Sequence, residues 1–377
     1  MSRARPRVLD SLAQVDPAAW DRLAGDNPFL AHAFLSGLEQ SECVCADTGW
    51  QPCHLTLWED GGLCAAMPLY LKSHSYGEYV FDWSWAEAYQ RHGLRYYPKL
   101  LCAVPFTPAS GPRLLAPTAQ LQARLLDAAF DLARDTGASS LHVLFPLPEQ
   151  AQALEQRGLM LRSSVQFHWE NPGYGSFDDF LAGMTHDKRK KIKQERRKVR
   201  EAGIQFRWLD GQQASAADWD FFAWCYNRTY RQHHSTPYLN RSFFAHLART
   251  MPDRLLLVVG SRGDQPVACA LNIHNRHTMY GRYWGAAGFH SGLHFETCYY
   301  QSIEYCIAHR LRCFEGGAQG EHKLARGLLP VRTQSAHWLA HPQFARAVED
   351  FLEREGCGIG AYLDELNEHS PFRQPAP

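Results

Sequence analysis

Hydrophobic and polar positions along the chain follow two periods, and the changes of period divide it into elements. Asp16-Pro17 opens a short helix, and a second apolar-periodic segment covers residues 32–42. Residues 53–58 and 63–71 are strand-like. They are joined by Glu59-Asp60-Gly61-Gly62, whose glycines supply the positive φ of a tight turn. A strand over 100–104 leads into a stiff loop from Pro105 to Pro112 that contains three prolines. Thr118 caps a helix that runs to about residue 134 and is ended by Gly137. A strand over 140–145, a helix over 148–157 and a long strand over 159–169 complete the first half.

Asn171-Pro172-Gly173-Tyr174-Gly175-Ser176 crowds turn formers together and marks the domain boundary, giving domains 1–172 and 173–377. A helix over 185–201 follows, then a strand over 204–209 and helical segments over 214–233 and 241–249. Residues 255–259 and 266–274 form a hairpin, 278–284 a third strand, and 294–309 a helix. Strands over 312–315 and 332–338 and a helix over 342–354 end the pattern. Both halves read helices, antiparallel strands, helix, strand, helix, strand. That order predicts a duplicated α/β unit with mixed sheets, each able to splay between its fourth and fifth strands.

Composition narrows the class without naming a substrate. The 377 residues suit two domains, and 45% hydrophobic with 21% charged residues is ordinary for a globular chain. Lys plus Arg equals Asp plus Glu, 39 against 39, so any polyanion surface must be local. No apolar segment follows the N-terminal arginines, and the longest aliphatic run, residues 255–259, is far too short to span a bilayer. A soluble cytoplasmic protein is expected. The eleven cysteines show no CxxC pair and read as reduced thiols. HExxH, GxxxxGK[ST] and GxSxG are absent, and no metal is expected.

Four segments carry candidate chemistry. From Lys188 to Arg200 there are nine Lys or Arg and one Glu. This concentrated positive face is either a phosphate or polyanion contact or a solvated connector. The loop Gly316-Gly317-Ala318-Gln319-Gly320 is followed by Glu321, His322, Lys323 and Arg326. Its glycines let backbone approach a ligand, and the four side chains add an acid, a base and two cations. Arg282-Tyr283-Trp284-Gly285-Ala286-Ala287 fits a short pyrophosphate-binding pattern, in which Arg282, Gly285 and Ala287 would face the anion. Trp85, Tyr96, Lys99, Phe106 and Arg113 belong to aromatic and basic stretches that read equally as a cleft wall or as core.

At these residues the chain resembles the Fem-like, peptidoglycan-bridge branch of the GNAT acyltransferase superfamily. The stretches YYPKLLCAVPFTPASGPRLL, YGRYWGA and FEGGAQGEHKLARGLLPVRTQSAHW carry the likeness. The resemblance implies two tandem GNAT-like domains and transfer of an acyl or aminoacyl group to an amine on a cell-wall precursor or small metabolite. Lys188, Arg189, Ile192, Lys198 and Gly203 match the family's basic helix. Lys323 and Gly327 stand nearest its Phe-Lys-x-Gly element, with His322 in place of the aromatic. The implied donor is aminoacyl-tRNA, with acyl-CoA as the alternative held by the loop at Arg282.

These readings combine into one expected mechanism. The donor lies in the second domain's splay, its phosphates on Lys188 and Arg189, and the acceptor lies against Trp85, Tyr96, Lys99, Phe106, Arg113 and Arg326. Glu315, Glu321 or His322 takes the amine proton, and amides of Gly316, Gly317 and Gly320 with Lys323 hold the oxyanion. The alternative class is a non-catalytic GNAT-like protein that binds RNA or anionic lipid headgroups.

Overall fold

The computed structural model describes residues 4–318 and 320–373. Gln319 lies outside them, and with it that residue's part in the glycine-rich loop. Fourteen strands follow one another among the described residues: β1 Arg5–Leu9, β2 Trp50–Pro52, β3 His54–Glu59, β4 Gly62–Met67, β5 Leu69–Lys72, β6 Lys99–Cys102, β7 Ser140–Leu144, β8 Met160–Glu170, β9 Ile204–Leu209, β10 Leu255–Arg262, β11 Gln265–His274, β12 Thr278–Ala286, β13 Cys313–Ala318 and β14 Leu329–Leu339. No helix among them is long and apolar enough to cross a membrane.

The chain forms two compact units that do not divide at residue 172. Among the described residues, one holds 4–164 and 332–360, the other 165–331 and 361–373. The correction has a topological cause. Strand β14, late in the sequence, pairs with β7 from Ser335↔Leu144 to Leu339↔Ser140. Strand β8, from the first half, supplies residues such as Glu170 and Trp169 to β13. Each half therefore gives its last strand to the other unit.

In the first unit β1, β3 and β4 form a small antiparallel sheet. The β2–β3 and β4–β5 arms change sheet at Cys53 and Pro68, where Cys53 N still donates to Leu69 O at 2.9 Å. Proline lacks the ladder donor, so a strand break there is natural. Strand β5 pairs antiparallel with β6, which runs parallel to β7. The helix Ala119–Thr136 covers this sheet. Thr118 Oγ1 accepts from Leu121 N, and Gly137, at φ 63°, ends the helix in the left-handed region, as its sequence predicts. Leu125, Leu126, Ala129 and Ala133 are its buried stripe.

Beneath residues 73–98 the unit buries charge. Lys99 Nζ is fully enclosed and donates to Ser75 Oγ at 2.7 Å, to Glu78 Oε2 at 2.8 Å and to Asp82. Tyr96 Oη donates to Asp82 at 2.6 Å and meets His142 Nε2, whose Nδ1 lies 2.8 Å from His337 Nδ1. Burial, then Lys99, pushes His142 down to about 3, and burial holds His337 well below its ordinary value. Both are therefore neutral at pH 7.

The sign of the acid response follows from these shifts. The two histidines contribute stability that is present above about 6.5 and lost as pH falls, because only the unfolded chain takes up their protons. Glu78 opposes them. Burial raises it to about 7, so between about 7 and 4.5 it favours the folded state as pH falls. Two histidines outweigh one glutamate. The unfolding free energy should drop between pH 6.5 and 4.5 by roughly 1.4 kcal/mol per pH unit, and more steeply below, and the urea midpoint should fall with it. Urea titrations across that range test this. A midpoint independent of pH would contradict it.

In the second unit β9, β10, β11 and β12 are successive antiparallel neighbours, and β13 joins β12 in parallel. Four antiparallel strands, a helix and a parallel fifth strand follow the order read from the sequence. The basic helix spans His186–Glu201 and buries only Ile192 and Val199, seven apart, as its sparse apolar spacing requires.

Candidate functional site

Strands β12 and β13 pair only at Thr278↔Cys313, Met279↔Phe314 and Tyr280↔Glu315. Beyond that they part, and a cavity of ≈ 130 Å³ opens between them. Its strand wall is Asn272, Gly281, Arg282, Tyr283, Trp284, Phe314 and Gly316. The facing wall is His294, Cys298 and Tyr299, from the helical stretch that begins at Leu293. That stretch widens into a π-helical turn over Glu296–Tyr300 before Gln301–Ala308 resumes the α-helix. The extra residue per turn changes which side chains face the sheet, and such turns concentrate at functional sites.

At one end of this region stands the segment Glu321–Arg326. His322 Nε2 is 3.1 Å from the hydroxyl of Tyr299, a cavity residue. Burial, then the charges of Lys323 and Arg326, hold His322 below its ordinary value, so it is a neutral base at pH 7. Burial, then the neighbouring Cys298, keeps Tyr299 protonated far beyond the usual phenol range. His294 is pushed down to about 4 by burial and then by His322, Arg326 and Lys323. Lys323 is almost wholly buried and donates to Gly317 O at 2.8 Å; burial brings it down to about 8.

The glycines here have steric reasons. A Cβ at Gly316 would lie 2.5 Å from Leu328 and 3.3 Å from Lys323 Cδ, and one at Gly320 would lie 2.6 Å from the His322 ring. Gly317 and Gly320 also take φ of 81° and 107°.

Several expected roles are corrected. Glu315 follows Phe314 and precedes Gly316, both cavity residues, so strand alternation turns it to the other face. There it lies 3.9 Å from His168. Glu321 is exposed and accepts from Tyr362 Oη at 2.6 Å, away from the cavity wall. Of the three candidate bases, His322 is the one joined to the cavity.

Arg326 is no substrate contact either. It is buried, its Nη2 donating to Glu195 Oε1 at 2.7 Å and its Nη1 to His322 O at 2.8 Å. Its guanidinium lies 3.5 Å from the Phe295 ring centroid. It ties the His322 segment to the basic helix.

Trp85, Tyr96, Lys99, Phe106 and Arg113 are all buried, so the cleft-wall reading gives way to core. Arg113 Nε donates to Leu144 O and its Nη2 to Ala109 O, both at 2.7 Å. A buried charge needs such partners wherever it lies.

The pyrophosphate reading fails on its own residues. Gly285 pairs within the sheet, and a Cβ there would lie 2.7 Å from the Cys225 backbone, so its lack of a side chain serves helix packing. The Ala287 amide already donates to Val267 O at 2.8 Å. Arg282 lines the cavity with its guanidinium 5.1 Å from the Tyr283 ring centroid. These residues form no cradle for coenzyme A phosphates.

The basic helix divides its cations. Arg189, Lys190, Lys193, Arg196, Arg197 and Arg200 line a groove of ≈ 1080 Å³ against Phe177 and the helix Gln301–Ala308. Lys188 faces a second depression with Glu321 and Tyr362. Arg196 is part-buried on Glu296 and Glu304.

The profile of the FemAB-like family, described as peptidoglycan biosynthesis/recognition, matches residues 11–374. The chain belongs to the FemAB-like family. No curated protein matches its sequence. Among solved structures FemX aligns over 89% of this chain and 98% of its own, with a TM-score of 0.55 at 11% identity. The C-terminal domain of a putative lysylphosphatidylglycerol synthetase from Agrobacterium fabrum aligns over 90% and 96%, with a TM-score of 0.55 at 10% identity. L-PGS from Bacillus licheniformis aligns over 84% and 95%, with a TM-score of 0.51 at 8% identity. At such identities the likeness is one of fold. In this FemAB-like chain the opening is lined by Asn272, His294, Cys298 and Tyr299 among others, none of them singled out by sequence motif. The only signal was the position of their strands and helix around the predicted splay.

Proposed function

We propose that this FemAB-like protein is an N-acyltransferase that moves an acyl or aminoacyl group from a phosphate-bearing donor to an amine. The observation that carries the reading is the opening between β12 and β13, with neutral His322 hydrogen-bonded to Tyr299 in its wall. The acyl group enters the opening. The amine nitrogen attacks its carbonyl carbon, and the C–N bond forms as the bond to the leaving oxygen or sulfur breaks. Tyr299 passes the amine proton to His322, which returns it to the leaving group. Lys323, through its bond to Gly317, positions the glycine strand end beside the carbonyl.

The donor's phosphates are assigned to the groove face of the basic helix. Arg189, Lys193, Arg197 and Arg200 recur on one side over roughly 16 Å, at 1.5 Å per residue. A stripe of that length suits a polynucleotide strand. With the occupied amide at Ala287, it favours aminoacyl-tRNA over acyl-CoA as donor. The family description supports a cell-wall precursor as the amine acceptor, with a small metabolite amine as the other candidate.

The test offers the protein alanyl-tRNA or acetyl-CoA with a panel of amines, including lysine-bearing cell-wall precursor peptides, and seeks N-acylated product by mass spectrometry. Product from either donor supports the reading. Donor binding without any product would instead favour a non-catalytic protein that binds RNA or anionic headgroups. The change Lys190→Gln, Lys193→Gln, Arg197→Gln should weaken tRNA binding about tenfold or more. It should also flatten the slope of log affinity against log salt by about 0.7 per lost contact. Unchanged affinity and slope would leave the helix a solvated connector.

A further inference from the structure

Asn272 is 1% exposed and lies in the cavity wall. Its Oδ1 accepts a long bond from Ser302 Oγ, 3.4 Å away, while its Nδ2 finds no hydrogen-bond partner among the described residues. A buried amide without a partner is destabilising compared with a leucine of similar shape. Register slips between Leu271 and Asn272, so that Leu271 faces Tyr283 and Asn272 faces Gly281, with Arg282 as the bulged residue. A Cβ at Gly281 would sit 3.6 Å from Asn272 Oδ1 and 3.2 Å from the Phe314 ring. Glycine there avoids crowding the Phe314 ring.

We propose that Asn272 Nδ2 donates its hydrogen bond to the carbonyl oxygen of the acyl group and to the oxyanion that oxygen becomes. This rests on the acyl-transfer reading and adds a catalytic residue to it. As the amine attacks, the carbonyl π pair moves onto oxygen, and it returns when the leaving group departs. A fixed, neutral N–H donor in a site poor in water stabilises that charge more than it stabilises the ground-state carbonyl. The cavity, at ≈ 130 Å³, admits the acyl end of a donor and little more. An engineered cavity of about 150 Å³ holds one benzene.

Two variants test the assignment in the full chain, with alanyl-tRNA and acetyl-CoA as donors. Asn272→Leu removes the donor and the unpaired amide together; Asn272→Asp keeps the shape and replaces the donor with an acceptor. Both should lower kcat about 10²–10³-fold with donor KM changed only a few-fold. The thermal midpoint of Asn272→Leu should equal or exceed that of the parent. Retained kcat in Asn272→Leu overturns the proposal, and so does loss of kcat together with a clear fall in its thermal midpoint. If the parent protein transfers from neither donor, the acyl-transfer reading falls and this assignment with it. If it transfers and Asn272→Leu keeps pace, only the assignment falls.

Discussion

Replacing Lys99 by methionine is expected to destabilise the protein by about 3–5 kcal/mol, the range for removing one partner of a buried ion pair. Lys99 has no exposed surface, and three side chains accept from its ammonium. Without it, Glu78 and Asp82 are left to Lys72, whose Nζ is 3.9 Å from Glu78 and rests over the Trp50 ring. Burial, only partly offset by Glu78, already brings Lys72 down to about 7, so it is a weak replacement. Glu78, held up near 7, would take a proton, and burial would push Asp82 up once Lys99, the main charge holding it down, is gone. Urea unfolding of Lys99→Met measures the loss. Adding Glu78→Leu and Asp82→Leu should recover most of it, because replacing a whole buried ionic set by apolar residues is often neutral. A loss below about 1 kcal/mol for Lys99→Met would mean that the network contributes no more than a surface pair.

The second large effect is on turnover. His322→Ala should reduce kcat by about 10²–10⁴-fold, the usual contribution of a positioned general base. The pH profile gives the sharper check. Burial and the cations Lys323 and Arg326 lower His322, so the parent rate should be flat near pH 7 and fall only in acid, below about 6.5. The residual rate of His322→Ala should lack that acid limb. Tyr299→Phe should resemble His322→Ala if the hydroxyl relays the proton. A full acid limb in His322→Ala would assign the base elsewhere.

Local rules carried much of the fold. Thr118 and Gly137 bound their helix, the 255–274 hairpin forms, and Ile192 with Val199 anchors the basic helix. The splay followed from strand order alone, since a parallel fifth strand reached through a helix need not stay paired along its length. Other features depend on partners far away in sequence. Lys99 and Arg113 looked like cleft cations because a sequence does not display the Glu78 carboxylate or the Leu144 carbonyl that each finds on folding. Arg326 looked like a site residue for the same reason, until Glu195 claimed it. Trp83–Arg91 folds as a helix whose buried Trp85 and Tyr89 stand four apart, a spacing that its cluster of aromatics obscured. Glu315 was legible in principle, since alternation from Phe314 assigns its face.

The exchange of last strands between the two units has a consequence for synthesis. A chain leaving the ribosome displays residues 1–164 long before residues 332–360 exist. Until β14 emerges, the edge of β7 that receives it has no ladder partner of its own, an invitation to non-native pairing. The early unit must wait through translation of the entire later one. Nascent-chain proteolysis should therefore find residues 1–164 vulnerable until the last part of the message has been read.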